Sequence, residues 1–413
     1  MQKGLQWLVG IIVFAQVICS ANDLEQLTEK LTEQERQLKE LKQQLDVLSQ
    51  AQTNSKAQLP DSLKWAQGIS LSGDLRYRHE WIDQEDKPDR HRHRIRLRVN
   101  LAAKVNDEWD TGLRLATGIK GDPVSTNQDL GQAFSDKPIW LDAAYARYQP
   151  AAFKNLAVTA GKTDVAFYTA GRNQLIWDHD LTPEGIFGAY SLQLTSKAKV
   201  YLTAGGFWVA ESATEADPAL WGLQGYLQQT INDETSIIAG CSYYNFAHLK
   251  GYTALNREWD GSSSNKFFGN SSVAGRFAND YDIAEVFGQI DSRIAHVPVS
   301  AYGSYVVNLA AESGYSEDTG WLLGFRINRA SDVHSWEISY DYRDIGADAV
   351  VGQFNDSDFI GGGTDGKGHR ISAAYQVAKN VQFGLTYHIN TITRPPKDLD
   401  YHRFQADLAV RFK

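Results

Sequence analysis

His402-Arg-Phe-Gln-Ala-Asp-Leu-Ala-Val-Arg-Phe412 is the stretch on which the fold turns. Phe404, Ala406, Leu408, Val410 and Phe412 fall on one face of an extended chain, and Arg403, Gln405, Asp407 and Arg411 on the other. Successive side chains of a strand point to opposite sides, so one face wants an apolar medium and the other wants water. A half-buried strand of a soluble sandwich alternates in the same way. The fold therefore depends on whether the rest of the chain repeats the pattern.

From Ile69 onward it does. About sixteen segments alternate over the ~9–11 residues or more that a tilted membrane strand needs. They centre near 69–82, 91–104, 108–120, 139–149, 154–163, 185–195, 198–209, 219–231, 235–247, 282–291, 297–309, 320–329, 334–344, 368–378, 380–392 and 401–412. The connections alternate too. Those at Lys104–Asp107, Ser196–Lys197, Ile231–Glu234, Arg329–Val333 and Lys379–Asn380 are tight, whereas Gly121–Pro138, Lys162–Glu184, His248–Tyr281 and Ile345–Lys367 are long. Short turns on one rim and long loops on the other mark an outer-membrane barrel. The expected fold is all-β: a transmembrane antiparallel β-barrel of about sixteen strands over residues 69–413. An even strand number puts both ends of the barrel on the short-turn rim, in the periplasm. Trp81, Trp109, Tyr145, Trp208, Trp221, Tyr305, Trp321, Trp336, Tyr342, Tyr375 and Tyr387 are expected on the outer face, where interfacial girdles hold such rings.

The amino-terminal part is different material. Residues 1–21 carry Lys3, an apolar stretch from Leu5 to Ile18 and the small pair Ser20-Ala21, the parts of a secretory signal. Cleavage after Ala21 leaves Cys241 as the one cysteine, so no intrachain disulfide is expected. Over residues 22–52, Leu24, Leu31, Leu38 and Leu45 are seven apart, and Leu27, Gln34, Leu41 and Leu48 repeat with an offset of three. Such heptads make a helical coiled coil, which implies self-association, with Gln34 in the seam fixing register or oligomer state. Residues 53–68 are a polar linker containing Pro60. After the first twenty residues no run is apolar enough for a membrane helix, which needs ~20 such residues. The formal net charge of −9 argues against a nucleic-acid binder.

Arginines mark the water side of the strands. Arg92, Arg94, Arg96 and Arg98 alternate with His93, Ile95, Leu97 and Val99, Arg76 and Arg78 share a face of the strand before, and Arg114 follows on the next. Facing lipid, each would cost ~2–4 kcal/mol near the midplane. Arg76, Arg78, Arg94, Arg96, Arg98 and Arg114 are therefore expected to line a watery lumen as a basic wall. His91 and His93 sit among cations that would repel a metal ion, so they read as rim or interface histidines. Gly161 to Gly185 is too long for a turn and carries Phe167, Leu175, Ile176 and Trp177, which an exposed loop would not hold. Folded into the lumen, it would bury them and set Asp178, Asp180 and Glu184 against the arginines, as a constriction of opposed charges.

Three blocks carry a resemblance. Leu175-Ile-Trp-Asp-His-Asp-Leu-Thr-Pro-Glu-Gly185, the stretch from Pro298 to Asn308, and the stretch from Asp348 to His369 are similar to segments of an outer-membrane porin family of Gram-negative bacteria. The resemblance implies a β-barrel porin with a signal peptide and an amino-terminal coiled coil, and it supplies no substrate. Lys413, after the terminal aromatic, departs from the family's usual ending.

Other chemistry is poorly represented. Gly361 to Gly368 nearly matches a phosphate-binding loop, but Gly368 stands where a Ser or Thr should be and a strand pattern follows. Asp356, Asp358 and Asp365 lack helix-loop-helix calcium spacing and read as Asx turns. No nucleophile elbow is present, so no enzyme, cofactor or metal is expected. The expected function is passive diffusion of small hydrophilic solutes or ions through a trimeric porin, with outer-membrane lipid around it. A tether from outer membrane to peptidoglycan through the coiled coil is the alternative. A sugar or phosphate channel is another, although the candidate sugar-binding aromatics Tyr201, Phe207, Tyr226 and Tyr302 are scattered along the chain.

Overall fold

The computed structural model describes residues 68–255, 266–312, 314, 317–394 and 396–413, together with Thr32, Glu33, Arg36, Gln37, Lys39, Glu40, Lys42 and Gln43. Those eight are helical and exposed, and Arg36 pairs with Glu33 at 2.8 Å and Glu40 at 2.9 Å along the helix. They fall on the polar flanks of the heptads. The signal peptide, most of the linker and the seam positions Leu24, Leu27, Leu31, Gln34, Leu38, Leu41, Leu45 and Leu48 lie outside the described residues. Among these residues no helix is long and apolar enough to cross a membrane.

The second unit, Gly68–Lys413, is a closed antiparallel barrel. Its first strands are β1 (Ile69–Gln84), β2 (Arg90–Lys104), β3 (Trp109–Thr117), β4 (Ile139–Tyr148), β5 (Leu156–Lys162) and β6 (Glu184–Thr195). Next come β7 (Ala198–Trp208), β8 (Ala219–Thr230), β9 (Ser236–Ala247), β10 (Tyr281–Ile294) and β11 (Val297–Asn308). The circuit ends with β12 (Thr319–Asn328), β13 (Trp336–Ile345), β14 (Gly366–Ala378), β15 (Val381–Ile392) and β16 (Leu399–Phe412). Each pairs with its sequence neighbours, and β16 closes onto β1 from Gly73 against Phe412 to Gln84 against Tyr401. Closure leaves no edge with unpaired backbone groups, as a structure surrounded by hydrocarbon requires. The sixteen expected segments all correspond to these strands. The alternation of loop lengths is not strict, since the link between β1 and β2, residues 85–89, is short on the long-loop rim.

The strands present an apolar outer face. Leu75, Leu113, Leu202, Leu223, Val286, Leu323, Ile371, Leu385 and Val410 are exposed there. Of the expected aromatics, Trp109, Trp208, Trp221, Tyr305, Trp321, Trp336 and Tyr375 are also exposed. Tyr145 is a correction. Asp142 is an extra residue in β4, so Leu141 pairs with Leu115 while Ala143 pairs with Arg114. A one-residue bulge flips every later side chain. Tyr145 therefore turns inward over Gly112, where an added Cβ would meet its ring at 2.5 Å.

The core lies inside the barrel. Residues 163–183 cross the lumen and bury Phe167, Leu175, Ile176 and Trp177 against the β7–β9 wall. Trp177 meets Tyr244 edge-on at 5.0 Å and Phe167 meets it at 4.9 Å. Each such burial is worth roughly 1.5–3 kcal/mol, which holds the loop in place. At its apex Gly171 (φ 62°) lies flat against Tyr302, where a Cβ would come within 2.2 Å of the ring. Two further loops also fold inward. Residues 346–365 bury Val350, Val351, Phe359 and Ile360, and Asn270 of the 248–280 loop donates to the Val350 carbonyl at 2.8 Å. Gln128–Asp129 of the 118–138 loop pairs with Ile95 and Arg94 of β2.

Candidate functional site: a constriction lined by arginines

The register of β1 and β2 sets Arg76 opposite Arg96, Arg78 opposite Arg94, and Asp74 opposite Arg98. These positions face inward, as do Arg92 and, on β3, Arg114. All six expected basic residues therefore share the lumen side. Like charges directly opposite one another are destabilising, and carboxylates from neighbouring strands and loops relieve them. Glu80, with no exposed side-chain surface, lies 2.6 Å from Arg92, 2.8 Å from Arg403, 3.5 Å from Arg94 and 3.6 Å from Arg78. Asp74 holds Arg96 at 2.7 Å and Arg98 at 2.8 Å. Asp407 holds Arg78 at 2.7 Å, and Arg114 pairs with Asp142 and, at 2.7 Å, with Asp164.

The acidic residues of the crossing loop divide. Asp180 reaches the wall, 3.3 Å from Arg98 and 3.8 Å from Arg96, and accepts from the Thr126 hydroxyl at 3.0 Å. Burial alone would raise its carboxyl, but Arg96, Arg98 and Arg76 hold it below the usual carboxylate range. Asp178 has no ion pair with an arginine among the described residues. It accepts from the Ser357 and Asp180 backbone N–H groups at 2.9 and 2.8 Å, and its own N–H donates to the Phe354 carbonyl at 2.7 Å, which ties the two inward loops together. Burial, with Asp180 and Asp356 nearby, pushes its carboxyl well above the usual range. Glu184 is a correction: it begins β6, is largely exposed, and pairs with Lys162 at 3.0 Å away from the wall. Wall and loop, moreover, do not oppose each other across open water. They touch, because a buried arginine ladder needs partners within bonding distance.

Sequence reasoning missed the second acidic loop. Asp358 lies 2.7 Å from Arg403 and 3.0 Å from Arg78. Asp356 lies 2.7 Å from Arg343, and its other oxygen accepts from the Asp358 N–H at 2.9 Å, the expected Asx turn. Asp341 completes the cluster between Arg343 at 2.8 Å and Arg370 at 2.6 Å. For the missed strand carboxylates parity was the available signal: Asp74 and Glu80 share the face of Arg76 and Arg78, and Asp407 that of Arg403.

Space remains along this wall. A cavity of about 450 Å³ opens by Lys87 and Pro88 on the long-loop rim and runs down to Arg94, Asp358 and Arg403. A smaller one of about 180 Å³ follows, lined by Arg76, Arg78 and Arg96 together with Asp178, Asp180 and Asp358. The third, about 360 Å³, continues past Asp178 and His179 to Arg98, Arg114 and Arg172. Arg172, at the loop apex, is exposed and has no ion pair among the described residues.

The comparisons bear on the fold and the family. No curated protein matches the sequence. Pseudomonas putida OprB, solved at high pH, is similar in structure with a TM-score of 0.55 at 10% identity, over 84% of this chain and 95% of that one. Salmonella typhi OmpF in complex with daunomycin gives 0.49 at 13% identity over 83% and 97%, and a Rhodopseudomonas blastica porin mutant gives 0.46 at 14% over 83% and 100%. At these identities the likeness to OprB speaks for the fold alone. The family described as Putative porin matches residues 82–280 and 277–412, nearly the whole barrel. The chain belongs to this family and is an outer-membrane β-barrel porin, a channel and not an enzyme.

Proposed function

We propose that the barrel passes small hydrophilic solutes by passive diffusion along the arginine wall, with selection by width and by local charge at the narrow cavity. The observation that carries this is the succession of three cavities, the smallest of them lined by Arg76, Arg78, Arg96 and the Asp178–Asp180 loop. Most wall arginines are paired, whereas Arg172, which lines the third cavity, has no ion pair among the described residues and adds positive charge there. The resulting preference is a mild one for anions. The long loops face outward and the short turns face the periplasm, where the heptads of residues 22–52 form their coiled coil.

A homotrimer fits the wall. β5 has 7 residues; at ~3.3 Å per residue and a tilt near 45° it rises only about 16 Å, against an apolar band of ~25 Å. A partner subunit covers so low a segment better than lipid does. Reversal potential under a salt gradient tests the selectivity. Neutralising Arg96 and Arg98 should move it toward cations, and no movement would mean that the wall does not line the narrow path.

A further inference from the structure

Asp358 differs from the strand carboxylates of the lumen because a loop, residues 346–365, carries it into place. One carboxylate oxygen lies 2.7 Å from Arg403. The other lies 3.0 Å from Arg78 and accepts from the Gln405 side-chain amide at 3.0 Å. The barrel wall already supplies a partner for each arginine, Glu80 for Arg403 and Asp407 for Arg78. Asp358 is therefore a second carboxylate, brought by a loop to guanidiniums that the strands have partly neutralised. Its side chain is 24% exposed.

That side chain stands where two cavities meet. Ser357 and Asp358 are the two residues, among those described, that line both the outer cavity of about 450 Å³ and the one of about 180 Å³ below it. Lys87, Arg90 and Lys120 line the outer cavity and are exposed, and its carboxylates among the described residues are Asp122 and Asp358. Lys87 and Lys120 have no ion pair among the described residues. Arg403 lines the same cavity, and its buried Nε has no hydrogen-bond partner among them.

The backbone around Asp358 is anchored separately. Arg403 Nη1 donates to the Ser357 and Asp358 carbonyls at 3.4 Å, and Phe359 and Ile360 are buried. The Asn355 side chain donates to the Gly363 carbonyl at 2.9 Å and accepts from its N–H at 3.2 Å. The Asp358 side chain can therefore turn aside if another group answers the arginines, and a second carboxylate does so in kind. A tethered group competes as if present at about millimolar concentration, so a monocarboxylate displaces it poorly. A dicarboxylate gains further contacts on the outer cations. We propose that Asp358 is the built-in occupant of a solute site, and that a small organic dicarboxylate from the outer cavity takes its place between Arg78 and Arg403 on the way inward. The inference rests on the diffusion reading above and names one class of its solutes.

The test uses the purified full chain in a planar bilayer at constant ionic strength, with succinate as probe and acetate and neutral succinamide as comparisons. Succinate should reduce the ion current saturably, and neither comparison should do so at the same concentration. Asp358→Asn removes the competitor, so the apparent succinate constant should tighten roughly tenfold and acetate should begin to act. Asp358→Glu keeps a carboxylate on the loop and should stay close to the wild type, which separates a lost occupant from a disturbed loop. An unchanged or weaker succinate constant in Asp358→Asn, or an equal gain in Asp358→Glu, overturns the site while leaving the porin intact. A channel silent to ions would overturn both.

Discussion

Asp358→Asn perturbs the ion-pair network with little change of shape. The carboxylate is shared between Arg403 at 2.7 Å and Arg78 at 3.0 Å, whose side chains are 2% and 7% exposed, and it accepts from Gln405 at 3.0 Å. Removing one member of a buried ion pair typically costs about 3–5 kcal/mol, because the surviving charge stays buried. Here both arginines keep another carboxylate, Glu80 and Asp407, so about 2–3 kcal/mol is the reasonable share. At ~1.4 kcal/mol per tenfold, the 346–365 loop should open roughly 30- to 150-fold more often. Amide hydrogen exchange reads this directly. The Gly362 N–H donates to the Phe359 carbonyl at 2.8 Å and the Asp356 N–H to the Gln174 carbonyl at 3.3 Å, and both should lose protection. The same substitution leaves one more positive charge in the lumen, so reversal potential should move toward anions. Unchanged protection together with unchanged selectivity would refute the claim that ion pairing holds this loop.

Other perturbations have signs that follow from the geometry. Asp178 carries a raised folded-state pKa, from burial and then from Asp180 and Asp356. Its contribution is therefore complete below the ordinary carboxylate pKa of ~4 and is lost as pH rises through the raised value. In Asp178→Asn, thermal melting should lose that decline on the alkaline side. Gly171→Ala should distort or release the loop apex, since φ is 62° and the added Cβ would strike Tyr302; conductance should rise, and a wild-type trace would count against the tight packing. A peptide spanning residues 22–52 should crosslink as an oligomer, and a strictly monomeric peptide would remove the coiled coil.

Strand identity was legible because period-two alternation and turn spacing are local. The closing strand is the clearest case: Arg403 and Gln405 are buried on the lumen side and Leu408, Val410 and Phe412 are exposed outside, as their alternation predicts. The inward loop was legible from Phe167 and Trp177, whose apolar bulk needed a place to go. Tyr145 was not, because one inserted residue reverses parity and nothing local marks Asp142 as that residue. Nor was the partnership of Glu80 with Arg403, which are 323 residues apart and meet only when the barrel closes. Glu184 failed for a related reason. It was grouped with Asp178 and Asp180 by proximity in sequence, yet the chain has already left the lumen and joined the barrel wall where β6 begins.

The most direct test of a water-filled lumen is single-channel recording of the purified, correctly folded chain in a planar bilayer. Adjoining cavities along the arginine wall predict discrete steps whose conductance rises with salt concentration. A folded protein that inserts and stays electrically silent at every salt concentration would contradict them.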